Sequence, residues 1–286
     1  MTVTGRLAPT PSGDLHLGNI CAFAGAWLSA RAAGGRVLLR MEDVDGGRAR
    51  TDAAEGQRRD LEWLGLTWDE EVPAQSSRDY TPWLGRLAGV TYNCACTRRM
   101  IRASGGVYLG TCRDAGHAEG TVRFRIPSGE VTFRDRRWGT RTVEPARLGD
   151  PVLRRRDGVF AYTLAVVADD IADGVTEVVR GADLLDFTAT QIQLWRALGA
   201  TPPTWLHTPL VLAPDGAKLA KRHASTSIRE LRDLGWSPDK VWRTVLPWLG
   251  SDASDLASAA ACWSATAGPL GPIRLAPPEG ADLTSR

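Results

Sequence analysis

A run near the N-terminus, Arg6-Leu7-Ala8-Pro9-Thr10-Pro11-Ser12-Gly13-Asp14-Leu15-His16-Leu17-Gly18-Asn19, has the residue types of an anion-binding turn. It joins the strand-like Thr2–Leu7 to the small, apolar, helical run Ile20–Leu28. Strand, tight turn and helix in that order aim backbone N–H groups and a helix N-terminus at a phosphate. His16, just before Gly18, adds an imidazole where the phosphates would lie. The run is neither a Gly-x-Gly-x-x-Gly dinucleotide loop nor a Walker loop, since no Gly-Lys-Ser/Thr follows. Far along the chain, Asp215-Gly216-Ala217-Lys218-Leu219-Ala220-Lys221-Arg222 sets two ammonium groups in a small-residue loop, where both can converge on one triphosphate. The chain has 32 Arg but only three Lys, at 218, 221 and 240, so arginine supplies the generic surface charge. Two lysines in one short loop therefore point to a task of their own.

A third group is Cys94, Cys96 and Cys112, three of five cysteines, beside a Gly105-Gly106 turn. With no export signal, such clustering favours a metal over disulfides. Three thiolates leave one place of a tetrahedral zinc to fill. Chemistry alone nominates His117, because imidazole is a common ligand and phenolate a rare one.

The elements that must position these groups follow from pattern. Arg36–Met41, entered from Gly34-Gly35, reads as a second parallel strand. It ends in Glu42-Asp43-Val44-Asp45, acids at the carboxyl end of a strand, where open α/β sheets place ligands. Helices are expected over 51–64, closed by Gly65, and over 77–90. From about 92 to 157 the character changes, and the section reads as an insertion between two halves of the main fold. Within it, Thr121–Ile126 alternates like an exposed strand, and Ser128-Gly129 turns into Val131-Thr132-Phe133 as a hairpin. The main fold resumes with Phe160–Val167 and the acids Asp169-Asp170, then a strand from Thr176 and a helix capped by Asp183. Trp205–Leu212 is expected to be the last sheet strand. Helices are expected over 228–234, 238–249 and 256–267, before an irregular tail from Gly268.

The 286 residues carry 43% hydrophobic and 24% charged side chains, ordinary for a soluble globular chain. No apolar run approaches the roughly 20 residues that span a bilayer, so no membrane partner and a cytoplasmic location are expected. A net charge of +2 means that a nucleic-acid partner must be met by a local basic surface.

The Arg6–Asn19 run resembles the N-terminal signature of the glutamyl/glutaminyl class I aminoacyl-tRNA synthetases, with His16-Leu17-Gly18-Asn19 as the "HIGH" element and Asn19 replacing its last His. Lys218–Lys221 resembles the "KMSKS" loop of the same family, with Ala220 where Ser is usual. The resemblance implies an α/β fold, a Rossmann-like class I catalytic domain with a zinc-containing insertion and a short helical C-terminal region. Its divisions would be 1–91, 92–157, 158–225 and 226–286. ATP, with Mg2+, would lie on His16, Gly18, Asn19, Lys218 and Lys221. His16 and Lys221 would stabilise triphosphate charge while the substrate carboxylate attacks the α-phosphorus. The family's glutamate-contacting segment corresponds to Arg6, Leu7, Ala8, Pro9 and Thr10, its α-amino partner to Glu42, and Tyr162 and Arg180 complete the site. Arginine's planar fork suits carboxylates. Glutamate over glutamine rests on Arg6 and Arg180 together with the resemblance.

The pattern C-x-C…G-G-x-Y-x-G-x-C-R implies Tyr108 as the fourth ligand of a structural Zn2+, where chemistry alone chose His117. Only about sixty residues follow Arg222, expected to be too few for a separate anticodon domain. The chain thus resembles a truncated paralogue within the family. That implies tRNA-independent activation of L-glutamate and transfer to the queuosine base at the wobble position of tRNA(Asp). The arginines from Arg123 to Arg156 would then meet the RNA backbone. The alternatives are a minimal glutamyl-tRNA synthetase charging a 3′ end and a non-catalytic tRNA-binding paralogue. Possession of both phosphate signatures and the carboxylate-binding set disfavours the last.

Overall fold

The computed structural model describes residues 2–46, 51–213, 215–217 and 227–275. Strand β1 (Thr4–Leu7) leads through the Pro/Gly turn into helix α1 (Leu17–Ala32). Strand β2 (Arg36–Leu39) lies parallel to β1, with Thr4 opposite Arg36 and Leu7 opposite Leu39. Helix α2 (Thr51–Trp63) ends at Gly65, whose φ of +74° is open to glycine at little cost. Strand β3 (Glu70–Glu71) completes this parallel half-sheet. The helix expected over 77–90 is broken: only α3 (Thr81–Gly85) is α-helical, flanked by single 3₁₀ turns at Gln75–Ser77 and Ala88–Val90. Proline is tolerated only in a helix's first turn, so Pro82 forces a fresh start, and Gly85 and Gly89 weaken any continuation.

Next come β4 (Thr91–Cys94), α4 (Arg98–Ala103), β5 (Thr121–Phe124), β6 (Val131–Asp135), β7 (Gly139–Val143) and β8 (Val152–Arg154). Strands β4, β5 and β8 form a small antiparallel sheet with β5 in the middle. Its central place explains why β5 is buried at Val122, Arg123 and Phe124, where alternation predicted an exposed strand. The β6–β7 hairpin forms as expected, with Val131 opposite Val143. It joins the main sheet, however, because β6 lies parallel to a later strand.

The chain continues with α5 (Tyr162–Ala172), β9 (Glu177–Gly181), α6 (Phe187–Ala197), β10 (Thr204–Thr208), β11 (Val211–Leu212), α7 (Ile228–Asp233), α8 (Pro238–Val245), α9 (Leu256–Ala261) and β12 (Ile273–Arg274). Asp183 does not cap α6: it lies in a 3₁₀ turn, and Asp186 holds the cap position without a side-chain cap bond. Pro209 lacks an N–H and ends β10, so β11 leaves the main sheet and pairs in parallel with β12. The tail expected to be irregular thus contributes a short strand.

The second sheet runs β7-β6-β10-β9. Its edge strand meets β1, since Thr176 N–H donates to the Thr4 carbonyl at 3.0 Å and Thr4 N–H to Thr176 Oγ1 at 2.8 Å. The chain therefore leaves β1 toward β2 on one side and returns beside β1 with β9 on the other. That reversal opens a crevice at the carboxyl ends of β1 and β9, the usual ligand position in such sheets. Helix α1 lies across both halves, in a core shared by Leu7, Ile20, Leu28, Val179, Leu206, Val241, Val245 and Leu249. Close contact needs Gly25, where a Cβ would stand 2.8 Å from Thr208 Cγ2. Gly56 of α2 has open space at its Cβ position. Gly25→Val should thus cost about 1–3 kcal/mol in urea unfolding, whereas Gly56→Ala should stabilise by about 0.5–1 kcal/mol.

Candidate active site

A cavity of about 440 Å³ occupies the crevice. It brings together Arg6, Ala8, Pro9, Thr10, His16, Asn19, Glu42, Tyr162 and Arg180 from the sequence-derived set. Leu7 instead sits fully buried in the core, and Gly18 lies in the first turn of α1, where a Cβ would be 3.1 Å from the His16 ring. Lys218 and Lys221 lie outside the described residues.

The turn is held by a capping box. His16 is the N-cap of α1: its Nδ1 accepts the Asn19 N–H at 3.2 Å, and Asn19 Oδ1 accepts the His16 N–H at 3.0 Å. With Nδ1 accepting, the neutral ring carries its proton on Nε2, a donor on the cavity wall. No acid stands in the first turn of α1, so the positive end of the helix is available to an anion. Gln57 of α2 clamps the loop from below, donating to the Thr10 carbonyl at 3.0 Å and the Gly13 carbonyl at 2.7 Å. Sequence reasoning missed Gln57; the available signal was a polar residue at a core-facing position of an amphipathic helix.

Beneath the cavity lies a buried charge cluster. Arg40, with no exposed surface, donates to Asp170 Oδ1 at 2.6 Å, Asp173 Oδ2 at 2.8 Å and Glu42 Oε1 at 3.4 Å. Arg6 Nε donates to the same Asp170 oxygen at 3.1 Å, and its Nη1 to the Val179 carbonyl at 3.2 Å. Asp169 accepts from Gln75 at 2.8 Å and from the Tyr80 hydroxyl at 3.0 Å. Burial opposes ionisation of Asp170, but Arg6 and Arg40 overcome it and hold the carboxyl below its usual value. At Glu42 burial wins, pushing the carboxyl up to about 7 against the pull of Arg40 and Arg6.

Arg180 has a different environment. Its donors go to neutral acceptors: His207 Nε2 at 3.1 Å, Gln191 Oε1 at 2.6 Å, Thr188 Oγ1 at 2.8 Å and the Leu184 carbonyl at 3.3 Å. Burial draws its pKa down to about 10, and the like charge of Arg6 adds to that. The cavity thus has a cationic wall at Arg180 and Arg6, carboxylates at Glu42, Asp14 and Asp183, and a neutral imidazole N–H beside a helix N-terminus. That arrangement suits an amino acid with an anionic side chain next to a phosphate. An adjoining cavity of about 350 Å³ shares Thr10, Ser12, Glu42 and Tyr162 with the first, and adds Asp43, Asp45, Arg98, Arg155 and Phe160.

At the end of β4, one ligand atom each from Cys94 and from the loop residues Cys96 and Cys112 lies within 4.8 Å of the others. The buried Tyr108 packs with Cys94 and Cys112, and its hydroxyl accepts the Cys112 N–H at 2.7 Å. His117 is exposed. Three soft thiols with an oxygen alongside could hold a zinc ion. Gly149, at φ +79°, lets the Tyr108 carbonyl approach to where a Cβ would be 2.3 Å away.

The arginines of this region are not one surface. Arg123 is buried, stacks 3.8 Å from the Tyr108 ring centroid and donates to the Asp150 carbonyl. Arg137 is buried against the carbonyls of Trp248 and Pro269, and Arg136 bonds Ser29 and Glu177. Arg134 and Arg156 are exposed. Within the run from Arg123 to Arg156, Arg123 and Arg137 are thus turned toward the protein, whereas Arg134 and Arg156 face outward.

Comparison with known proteins identifies the family. Residues 2–106 and 111–256 match the family described as "tRNA synthetases class I (E and Q), catalytic domain". A glutamyl-Q tRNA(Asp) synthetase of Nitratidesulfovibrio vulgaris is 48% identical over 265 residues, covering 82% of each chain. One from Deinococcus radiodurans is 46% identical over 273 residues, covering 88% of this chain and 92% of its own. The fold is shared with the crystal structure of glutamate-tRNA synthetase from Elizabethkingia anophelis, with a TM-score of 0.85 at 24% identity, covering 96% of this chain and 68% of that one. The chain belongs to the family of class I glutamyl- and glutaminyl-tRNA synthetase catalytic domains, and is a ligase of that type.

Proposed function

We propose that the chain activates L-glutamate with ATP and Mg2+ in the absence of tRNA, then passes the glutamate to the queuosine base at the wobble position of tRNA(Asp). The observation that carries this reading is Arg180, a buried guanidinium hydrogen-bonded only to neutral acceptors in the contacts above, on the wall of a cavity that also presents Glu42 and His16. A carboxylate side chain on Arg180 and an ammonium on Glu42 leave the substrate's α-carboxylate toward His16 and the start of α1. An oxygen of that carboxylate attacks the α-phosphorus of ATP, the bond to the β-phosphate oxygen breaks, and pyrophosphate leaves. The His16 Nε2–H, Lys218 and Lys221 stabilise the phosphate charge in that step. In the second step an acceptor hydroxyl attacks the glutamyl carbonyl carbon and AMP departs. The adjoining cavity, separated from the first by Glu42 and Tyr162, gives the acceptor a route to that carbon. The names of the similar proteins favour the queuosine base as acceptor.

A structural zinc on Cys94, Cys96, Cys112 and Tyr108 stiffens the insertion. Tyr108 is favoured over His117 because it is buried with the cysteines and its hydroxyl is held by the Cys112 N–H, whereas His117 is exposed.

Four outcomes follow. Glutamate-dependent ATP–pyrophosphate exchange should proceed without tRNA, and labelled glutamate should enter the anticodon fragment of queuosine-containing tRNA(Asp) but not of tRNA lacking queuosine. Label at the 3′ end would favour the minimal glutamyl-tRNA synthetase instead, and absence of exchange in a folded, zinc-replete sample would reject the proposed activity. Lys221→Ala should abolish exchange with an unchanged Tm; a large fall in Tm would make that lysine structural. Glu42 binds the ammonium as a carboxylate but is raised to about 7 in the free site, so protonation competes with substrate. KM for glutamate should therefore rise about tenfold per pH unit as pH falls below that pKa and level off above it, and Glu42→Gln should remove this dependence. Metal analysis should find one zinc per chain, lost in Cys112→Ser and weakened in Tyr108→Phe but not in His117→Ala.

A further inference from the structure

We propose that Asp135 and His207 are positioning residues that lock the Arg180 guanidinium across the sheet, and that this lock selects an acidic over an amide side chain in the amino-acid pocket. The inference rests on the glutamate reading of that cavity.

The three residues run along neighbouring strands. Arg180 of β9 is the register partner of His207 of β10, and Asp135 ends β6, which lies on the far side of β10. Asp135 and His207 have no exposed surface, so neither touches a substrate. His207 Nδ1 stands 2.7 Å from Asp135 Oδ2. An ionised carboxylate only accepts, so Nδ1 carries the proton and Nε2 is the bare nitrogen. That nitrogen accepts the Arg180 Nε–H at 3.1 Å. The other Asp135 oxygen is fixed by the Arg137 N–H at 3.0 Å and the Trp138 N–H at 2.9 Å, in the turn of the β6–β7 hairpin. The tautomer of His207 is thus set by a hairpin remote from the cavity. With the opposite tautomer, Nε2–H would confront Nε–H, donor against donor, and the guanidinium would swing away.

The remaining acceptors follow the same logic. The Thr188 hydroxyl has two acceptors in reach, the Leu184 carbonyl at 3.1 Å and the bare His207 Nε2 at 3.2 Å, and on giving its proton to either it leaves its oxygen to accept the Arg180 Nη2–H at 2.8 Å. Gln191 Oε1 accepts from Nη1 at 2.6 Å. The chain therefore fixes orientation at all three guanidinium nitrogens with acceptors that carry no charge. A carboxylate supplies two acceptor oxygens and the missing charge; an amide supplies one oxygen and a pair of donors. A fixed guanidinium discriminates between them, whereas one free to pivot would settle for the single amide oxygen.

The test is ATP–pyrophosphate exchange with glutamate and with glutamine, on wild type, His207→Phe, His207→Gln, Asp135→Asn and Thr188→Val. The glutamine side chain of H207Q can still offer an oxygen to Nε–H, while H207F cannot. In D135N one amide face must meet either His207 or the hairpin N–H groups with the wrong polarity. Expected for H207F and D135N is a rise of roughly 10- to 100-fold in KM for glutamate, with kcat and KM for ATP nearly unchanged and a smaller glutamate-to-glutamine ratio. H207Q should recover most of the loss. T188V, nearly isosteric, should give a smaller change of the same kind and supplies the answer if H207F does not fold. Unchanged KM and selectivity in folded D135N and T188V would overturn the proposal. A parallel loss of kcat, both KM values and Tm, not rescued in H207Q, would also overturn it by making the residues merely structural. Absence of exchange in the wild type would overturn the glutamate reading itself, and this inference with it.

Discussion

One carboxylate oxygen, Asp170 Oδ1, accepts from both Arg40 at 2.6 Å and Arg6 at 3.1 Å, and the two halves of the fold meet there. Arg6 comes from β1, Arg40 follows β2, and Asp170 lies on α5, after β8 in the chain. An uncompensated buried charge costs several kcal/mol, so none of the three tolerates separation from the others. The cluster therefore holds the crevice at one width. It also explains why Glu42 titrates near neutrality: Arg40 divides its donors between Asp170, Asp173 and Glu42, and burial outweighs the share that Glu42 receives.

The arginines around the crevice form a series of increasing availability. Arg40 is committed to acids and is a structural ion. Arg6 spends one donor on an acid and one on a carbonyl, and still lines the cavity. Arg180 is steered by neutral acceptors and lines the cavity. Residue type cannot separate these roles; the charge of the hydrogen-bond partners does.

Much of the candidate site's lining was legible in the sequence because its parts are local. The turn from Arg6 to Asn19 carries its own geometry, Glu42 follows directly from a strand end, and the cysteines announce themselves by spacing. What stayed hidden depends on pairs far apart in the chain. Gln57 reaches back to Thr10 and Gly13, Arg40 finds Asp173, and His207 finds Asp135; no local pattern marks any of them. The same holds for the β6–β7 hairpin, recognised as a hairpin but joined to the main sheet by one register pair with β10. Arginine runs misled for a related reason. Alternation placed Arg123 on a solvent face, while the strand pairing on both sides of β5 buried it over Tyr108.

The central claim is that this crevice holds glutamate with its side-chain carboxylate on Arg180 and its ammonium on Glu42. A crystal structure with glutamate bound tests it most directly. The expected result is a side-chain carboxylate within about 3 Å of the Arg180 guanidinium, the ammonium on Glu42, and the α-carboxylate facing His16. Glutamate bound elsewhere, or bound with Arg180 still facing only its neutral protein partners, would contradict it.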